Sequence, residues 1–390
     1  MLPCQRDRFD IPADIAWLNA AAWGPLPLAA VEAGRIGVAR KAQPWRLPAD
    51  VAEAQYARAR AAAATLIGAA PADVAIIPSV GYGVSTAAKA LDLPPGSRVL
   101  VLADDHSAPV LEWLSRARSH GILLDTVARP EDGDWTAAVL HAIARHPPAL
   151  ASIASVHWSD GGALDLSRIA PALRAAGAAL LVDATHAVGA GPVDVAALDP
   201  DFLVFPTYKW TLGPYGRAFL YVAPRRQDGV PLEQTAHGRR GVSAERIPYL
   251  ADTRYLPDAR RFDMGERDHF VSLEMAAIGM ELLAALGPAA VAERLAALTA
   301  ALAQGLGALG LGVPGLGVPG TAIRAPQILS VTIPGGTPAG FLARLAEAGV
   351  YVADRLGRIR ISPHIYNDAE DVARCVAAFR TALAAGGGRS

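Results

Sequence analysis

The chain is poor in cysteine and in charge of either sign. Of its 390 residues two are cysteines, Cys4 and Cys375, at opposite ends of the chain. Two such distant thiols cannot supply a thiolate metal cluster or a disulfide framework, so we expect a reducing, cytoplasmic setting. Charged residues make up 19%, and 36 basic against 37 acidic residues leave a net charge of −1. Because the two signs are interspersed, we expect no binding to nucleic acid or to an anionic membrane surface.

Long apolar runs are missing as well. The mean hydropathy is +0.26, but much of it comes from alanine, and no uninterrupted run of about 20 apolar residues, the length of a membrane-spanning helix, occurs. Charged residues at positions 6–8 stand where a secretory signal would need its apolar stretch. We therefore expect a protein that is neither exported nor inserted in a membrane. Hydrophobic residues, at 52%, are numerous enough for a sizeable core.

Between residues 74 and 222 short aliphatic runs alternate with longer, alanine-rich amphipathic stretches. This alternation is typical of an α/β domain with a mostly parallel sheet that is covered on both faces. Seven runs are predicted strands: 74–77, 98–102, 123–127, 149–156, 179–182, 202–205 and 218–222. The stretches 85–91, 109–120, 135–145 and 166–176 are predicted helices. Beyond residue 222 a long helical pattern at 270–309, followed by shorter strand and helix patterns up to residue 361, predicts a smaller α+β unit.

Residues 78–83 follow the first predicted strand and precede a helix. Ser79, Val80 and Gly81 are small enough to leave backbone N–H groups open to a phosphate at the positive end of the helix dipole. An ordinary strand-to-helix turn explains the segment equally well. A dinucleotide fingerprint, which would indicate a Rossmann dehydrogenase, is disfavoured because Thr86 stands where its third glycine belongs.

Two further strand ends carry polar side chains. His106 follows the second predicted strand, where an imidazole is either a hydrogen-bonded loop residue or a surface for stacking a flat ligand. Asp183 directly follows a buried apolar run, where an unpaired carboxylate is costly. It is either satisfied by the following backbone amides or paired with a protonated ring nitrogen, with His186 near a ring oxygen. The residues themselves leave both alternatives open.

Lys209 stands between aromatic residues, after a predicted strand and before a Gly/Pro loop. Burial would lower the pKa of such an amine and make it nucleophilic, as a Schiff-base lysine requires. The alternative is a structural lysine whose aliphatic stem is buried and whose amine reaches water.

Taken together, the order of a phosphate turn, an aromatic stacker, an acid and a lysine resembles the class V aminotransferase family of fold-type I pyridoxal 5′-phosphate enzymes. The motifs that carry the resemblance are residues 183–186, 208–216 and 360–367, and it extends over nearly the whole chain. It implies a large domain with a mostly parallel seven-stranded sheet, residues 31–255. A smaller α+β domain would combine residues 1–30 with 256–390. It also implies a homodimer with active sites at the subunit interface.

The resemblance also assigns roles. Lys209 would form the internal aldimine with pyridoxal phosphate and shuttle the proton at the substrate Cα. Asp183 would keep the pyridine nitrogen protonated, His186 would hydrogen-bond the phenolic oxygen, and His106 would stack on the ring. Four residues would hold the phosphate: Ser79, Val80, Gly81 and Tyr208.

Two more positions complete the implied site. Asp160, or its neighbour Ser159, falls where relatives place an asparagine beside the phenolic oxygen. Arg360 would bind the substrate carboxylate, a planar group that suits a guanidinium; the alternative is a salt bridge at the domain edge.

The expected activity is that of an aminotransferase acting on an amino-acid substrate through Cα deprotonation. A β-eliminating lyase or an epimerase would share that first step, and a cofactor-free binding scaffold is an alternative of another class. Relatives that desulfurate cysteine need a mobile cysteine before the terminal arginine, and residues 346–360 contain none. The chain is therefore not expected to be a cysteine desulfurase.

Overall fold

The computed structural model describes residues 2–48, 50–242, 253–267, 270–313 and 323–386. Its strands are β1 (Ala16–Trp17), β2 (Val74–Ile77), β3 (Arg98–Leu102), β4 (Leu123–Val127), β5 (Leu150–Ala154), β6 (Ala179–Asp183), β7 (Phe202–Pro206), β8 (Ala218–Val222), β9 (Leu329–Val331), β10 (Val350–Tyr351), β11 (Ala353–Arg355) and β12 (Arg358–Ile361). Its α-helices are α1 (Leu28–Ala42), α2 (Val51–Ile67), α3 (Val80–Ala90), α4 (Ser107–His120), α5 (Trp135–Arg145), α6 (Leu166–Ala175), α7 (Val195–Leu198), α8 (Ser272–Leu286), α9 (Pro288–Gly307), α10 (Phe341–Glu347) and α11 (Ala369–Gly386).

The central sheet confirms the predicted α/β fold. Its seven strands lie in the order β2-β8-β7-β6-β5-β3-β4, and β8 pairs antiparallel with β2 and β7, whereas the other pairs are parallel. Successive residues of a strand point to opposite faces of the sheet. The aliphatic side chains of one strand therefore contribute to two hydrophobic cores, one on each face. In β2, for example, Val74 and Ile76 belong to one core, whereas Ala75 and Ile77 belong to the other.

Helix α3 begins at Val80, five residues before the predicted start at residue 85, so that prediction was wrong at this boundary. Ser79 is the N-cap and its Oγ accepts a hydrogen bond from the Tyr82 N–H at 3.1 Å. Gly83 lets the first turn approach the sheet, because a Cβ there would lie 2.7 Å from Val204 Cγ2. The cap and this close packing offset the low helix propensity of the two glycines.

The predicted single helix at 270–309 is instead the pair α8 and α9, bent by 83°. The break falls at Gly287, with φ of 84°, followed by Pro288, whose ring cannot continue the preceding helix. Among the described residues no single helix is long and apolar enough to span a membrane, and α8 with α9 meets that criterion only as this bent pair. Helix α8 packs against α1 and α2, while α9 packs against α11 and β9.

The C-terminal part contains a three-stranded antiparallel sheet in the order β11-β12-β9. Its hydrophobic core includes Ala16 and Leu18 from the N-terminal segment, and β1 pairs in parallel with β10. The Ser362 N–H donates to the Leu18 carbonyl at 2.7 Å, directly after β12. These contacts support our proposal that residues 1–30 belong to the small domain. The proposed boundary at 255–256 adjoins residues 243–252, which lie outside the described ranges.

Candidate active site

Residues at the carboxyl ends of five parallel strands line one cleft. Strand β2 leads to the start of α3, and β3 leads to the start of α4. Strands β5, β6 and β7 each end in a loop at the same edge of the sheet, which is where ligands of α/β sheets bind. The cleft brings together six residues predicted from the sequence: Val80, His106, Asp183, His186, Tyr208 and Lys209.

The amine of Lys209 is poised as a nucleophile. The residue is 7% exposed. Burial is the main cause that lowers the pKa of Lys209 from 10.5 to about 8; the positive charges of Arg360 and Arg355 act in the same direction, and Asp183 opposes them. About a tenth of the amine is therefore neutral at pH 7, which is far more than in an exposed lysine.

The loop that carries Lys209 is held tightly from the N-terminal segment. The Gly24 N–H donates to the Tyr208 carbonyl at 2.9 Å. A Cβ at position 24 would overlap the carbonyl oxygen of Lys209, so this close approach requires glycine. Within the loop, the Gly213 N–H donates to the Thr207 carbonyl at 2.7 Å. The backbone of the loop that contains Lys209 is therefore constrained.

Asp183 is the last residue of β6, and one of its two carboxylate oxygens accepts a hydrogen bond from the described residues while the other accepts none. Its Oδ1 accepts a hydrogen bond from the Thr185 N–H at 2.9 Å. Among the described residues nothing donates to its Oδ2, although the side chain is buried and lines the cleft. A buried carboxylate with a free acceptor is well placed to receive a hydrogen bond from a positively charged ring nitrogen.

The hydrogen bond from Trp210 settles which nitrogen of His186 carries the proton. The Trp210 indole N–H can only donate, and it donates to His186 Nδ1 at 3.0 Å. Burial, followed by the charges of Lys209 and Arg360, lowers the pKa of His186 well below its ordinary value. The ring is therefore neutral with its proton on Nε2, and it presents a hydrogen-bond donor to an oxygen in the cleft.

His106 lies at the N-cap of α4, and its ring lines the cleft. It makes an edge-to-face contact with Trp158, with centroids 5.9 Å apart and planes at 85°. Burial and then the charge of Lys209 lower the pKa of His106. A neutral imidazole in this position can stack on a flat heteroaromatic ring without adding charge.

The start of α3 provides open backbone donors. The first-turn amides of Val80 and Gly81 have no intrahelical acceptor and lie at the positive end of the dipole. A Cβ at Gly81 would meet nothing closer than Ser79 Oγ at 4.0 Å, so there is space for an anion at this turn. Tyr208, which stacks on Tyr215 with centroids 3.8 Å apart, lines the same cleft. Its pKa is raised by burial, so its hydroxyl remains a donor.

The structure does not bring Asp160 or Ser159 to the lining of the cleft. The Asp160 carboxylate pairs with Arg129 and accepts from the Gly162 N–H at 2.8 Å. Burial alone would raise the pKa of Asp160, but His157 and Arg129 hold it at about 2. Ser159 Oγ bonds to His157 Nδ1 at 3.0 Å. The neighbouring Trp158 lines the cleft instead.

Arg360 reaches the same region from β12 of the small sheet. It is 2% exposed, and its Nη1 donates to the Trp158 carbonyl at 2.6 Å. Its Nε has no hydrogen-bond partner, and no carboxylate of the described residues pairs with it. Burial lowers the pKa of Arg360 to about 9, with a further contribution from Arg355. A buried guanidinium without a counter-ion favours the binding of an anion.

Sequence reasoning missed Asp105, whose carboxyl group also lines the cleft. Its Oδ1 accepts from the His106 N–H at 2.7 Å, and its buried Oδ2 has no hydrogen-bond partner among the described residues. Burial raises the pKa of Asp105 to about 7; the charge of Asp183 adds to this effect and that of His157 opposes it. In the sequence, two adjacent acidic residues after a strand are typical of an exposed loop. Only the structure shows that Oδ2 of the second one, Asp105, is buried.

The lowered pKa predicts selective labelling of Lys209 in protein that has been freed of small molecules. Only the neutral amine reacts with formaldehyde, so its reductive methylation should increase with pH and pass its half-maximum near pH 8. Mass spectrometry of the digest measures the modification at each lysine. Lys89, which is exposed on α3, reports the general reactivity of the reagent. Labelling of Lys209 that reaches half-maximum only near pH 10.5 would contradict the prediction.

Comparisons with known proteins agree with this geometry. A family model described as Aminotransferase class-V matches residues 46–375. An uncharacterized aminotransferase, YcbU, of Bacillus subtilis (strain 168) is 29% identical over 313 residues, which are 80% of each chain. The isopenicillin N epimerase of Streptomyces clavuligerus is 29% identical over 304 residues, or 75% of each chain. Among solved structures, the apo cysteine desulfurase from Thermococcus onnurineus NA1 matches with a TM-score of 0.82 at 19% identity, covering 98% of this chain and 99% of that one.

Proposed function

Because the chain belongs to the class-V aminotransferase family and is a pyridoxal-phosphate-dependent enzyme, we propose that it transfers the amino group of an amino acid to a 2-oxo acid. The observation that carries the proposal is the buried Lys209, whose pKa of about 8 lets its amine both take and return a proton. The alternatives within the family differ in the step that comes after loss of the Cα proton.

The residues of the cleft fit the cofactor. Asp183 has an open oxygen for the pyridine nitrogen, and His186 has a free Nε2–H for the phenolic oxygen. The amides of Val80 and Gly81 face open space that suits the phosphate. His106 would pack on the ring face, and Lys209 Nζ would hold the aldehyde carbon. When bound, pyridoxal phosphate supplies an electron sink that makes the bonds at the substrate Cα labile.

Two charged residues of the chain would then direct the reaction. Asp183 keeps a proton on the ring nitrogen by offering a buried negative charge, which sustains the electron-withdrawing form. Arg360 binds the α-carboxylate and orients Cα toward Lys209. Lys209 removes the proton from Cα and delivers it again on the same side.

Proton transfer by one residue on one side favours transamination over epimerisation. Inversion at Cα requires an acid on the opposite face, where we place His106. Because burial lowers the pKa of His106, its neutral ring is a poor proton donor. Transamination needs no second acid, since a single amine can move the proton between the two carbons that flank the shared nitrogen atom.

Neither cysteine is placed for desulfuration. Cys4 Sγ donates to the Tyr366 carbonyl at 3.3 Å, and Cys375 is fully buried with a raised pKa. Neither lines the cleft. The likeness to a cysteine desulfurase, at 19% identity, is a likeness of fold. We therefore propose an activity that does not use a protein thiol.

The proposed reaction predicts a half-reaction that can be seen without any acceptor. Adding an amino donor to the purified enzyme should convert its visible absorption band to that of the pyridoxamine form, one equivalent per chain, and a 2-oxo acid should restore it. The measurement is a spectral titration with a panel of amino acids. Release of pyruvate and ammonia without pyridoxamine would indicate the lyase instead. Exchange of the Cα hydrogen with loss of chirality, and no other product, would indicate the epimerase.

We also propose that the enzyme is a homodimer, as the family resemblance implies. Trp23 and Tyr215 are 61% and 58% exposed and contact each other edge to face at 5.9 Å. Tyr215 stacks on Tyr208 of the cleft, so this aromatic patch continues to the active site. Exposed aromatic residues beside a site are suited to burial against a second copy of the chain. Sedimentation of the holoenzyme as a monomer over a range of concentrations would contradict this.

A further inference from the structure

We infer that Arg355 is a second anion-binding residue of the active site and that the preferred substrate is an amino acid with an acidic side chain. The inference rests on the proposed function, because it assumes that Arg360 takes the α-carboxylate. It goes further in naming the chemical class of the substrate. Three observations support it: the placement of Arg355 in the small domain, its contacts and the charge balance around it.

A tight hairpin places Arg355 on the same face as Arg360. In the β11–β12 pair, Ala353 lies opposite Arg360, and Arg355 lies opposite Arg358. Directly opposed residues of an antiparallel pair share a face, and so do residues two apart on one strand. The two turn residues, Leu356 and Gly357, both have positive φ, at 54° and 74°. This turn geometry matches the twist of the strands and keeps the hairpin short.

Arg355 and Arg360 both contact Trp158, which lines the cleft. The Arg355 guanidinium carbon lies 5.9 Å from the centroid of the Trp158 ring, whereas Arg360 bonds to the Trp158 carbonyl. The positive charge of Arg355 also contributes to lowering the pKa of Lys209 and of His106, after the larger effect of burial. The two guanidiniums therefore converge on the same part of the cleft.

No carboxylate of the described residues neutralises Arg355. Its Nη1 donates to the backbone carbonyl of Asp354 at 2.8 Å. The Asp354 carboxylate is used elsewhere, by Thr337 Oγ1 at 3.3 Å and by the Gly357 N–H at 3.1 Å. The other acids near Trp158, Asp104 and Asp160, pair with Arg129. Within the described part of the chain, Arg355 is thus a half-buried cation without a counter-ion.

The two guanidinium groups, of Arg355 and Arg360, therefore favour a substrate with two anionic groups. An α-carboxylate would pair with Arg360, and Asp183 is committed to the ring nitrogen. Arg355 would remain unpaired with any neutral side chain. A second carboxylate would form a charge-assisted hydrogen-bond pair with it, which is among the stronger polar contacts in proteins. A substrate with a carboxylate side chain satisfies both guanidiniums at once.

Binding of two inert acids of equal chain length tests this without turnover. Succinate has two carboxylates and butyrate has one, and each can be titrated into the holoenzyme by calorimetry. We expect succinate to bind the wild-type enzyme about tenfold more tightly or better, since a charge-assisted contact contributes at least that much. R355A should reduce the affinity for succinate to that for butyrate and leave butyrate binding unchanged.

Arg358 supplies the matched control. It lies opposite Arg355 in the same hairpin, but it lines a separate surface cleft with Arg129 and Glu131. R358A removes the same charge and should leave the preference for succinate unchanged. Should R355A lose its cofactor or its fold, R355Q keeps a long polar side chain in the hairpin and gives the same comparison.

Three outcomes would overturn the inference. Equal binding of succinate and butyrate to the wild-type enzyme would mean that no second anion site exists. Equal weakening of both acids by R355A would place Arg355 on the α-carboxylate. Loss of the preference for succinate over butyrate in R358A as well would mean that the preference depends on the total positive charge of the hairpin and not on Arg355. Because these measurements need no turnover, they are independent of whether the enzyme is an aminotransferase or a lyase, which the spectral titration decides.

Discussion

Lys209→Ala is expected to abolish turnover, with a loss of about 10⁴-fold or more, because the proposed function assigns both the covalent attachment and the proton transfer to this one side chain. The visible band of the bound cofactor should shift to that of free pyridoxal phosphate. Borohydride should then fail to fix the cofactor to the chain. In the wild-type protein the same treatment should leave one pyridoxyl group on the peptide that contains Lys209.

The chain offers clean controls, because it contains only two other lysines, Lys41 and Lys89. Both are exposed, and Lys89 donates to the Leu232 carbonyl at the surface. K89A should retain the band, the borohydride adduct and full activity. A pyridoxyl group on Lys41 or Lys89, or undiminished turnover by K209A, would refute the assignment of Lys209 and with it the proposed function.

Asp183→Asn is expected to lower kcat/KM by about 10³-fold, the scale on which preorganised electrostatic groups act in buried sites. Asparagine has nearly the same shape and can still accept the hydrogen bond from the Thr185 N–H. What it removes is the negative charge that, in the proposed function, holds a proton on the ring nitrogen. Steady-state kinetics measures the loss, and a spectral pH titration of the bound cofactor should show that the ring nitrogen has lost its proton at neutral pH.

Asp201→Asn is the matched control for Asp183→Asn. Asp201 is also buried, but it precedes β7, where its carboxylate accepts from the Leu180 N–H at 2.8 Å and pairs with Arg225 and Arg226. Its pKa is lowered because these hydrogen bonds outweigh the effect of burial. D201N should lower thermal stability and leave the cofactor spectrum unchanged. A spectrum and kcat/KM of D183N equal to those of the wild type would show that Asp183 has only a structural role.

Six strands of the large sheet could be predicted because they are buried on both faces, whereas the edge strand β4 is largely exposed. A run such as 202–205 must be apolar throughout, and the structure places β7 at Phe202–Pro206. Helix boundaries were less predictable. The start of α3 depends on a contact between Gly83 and Val204, and the division between α8 and α9 depends on their packing against different elements. Neither contact is encoded in local periodicity.

Asp160 shows the same limit for the candidate site. Its position after β5 matched the expected neighbour of the cofactor, but Arg129, 31 residues away in sequence, holds its carboxylate. The role expected for Asp160 therefore remains without support among the described contacts. Asp105, which lines the cleft, carried no local signal that distinguishes it from a loop residue.

By itself, the sequence determined which residues end the parallel strands, and therefore that Asp183, His186 and Lys209 meet at one edge of the sheet. This could be predicted from local sequence patterns, because the carboxyl ends of all parallel strands lie at the same edge of a sheet. Only the tertiary structure decided the protonation of the site and its unpaired charges. Trp210 sets the tautomer of His186, burial lowers the pKa of Lys209, and the β11–β12 hairpin brings Arg355 and Arg360 to Trp158. These properties depend on partners and on dielectric surroundings that the fold brings from distant parts of the chain.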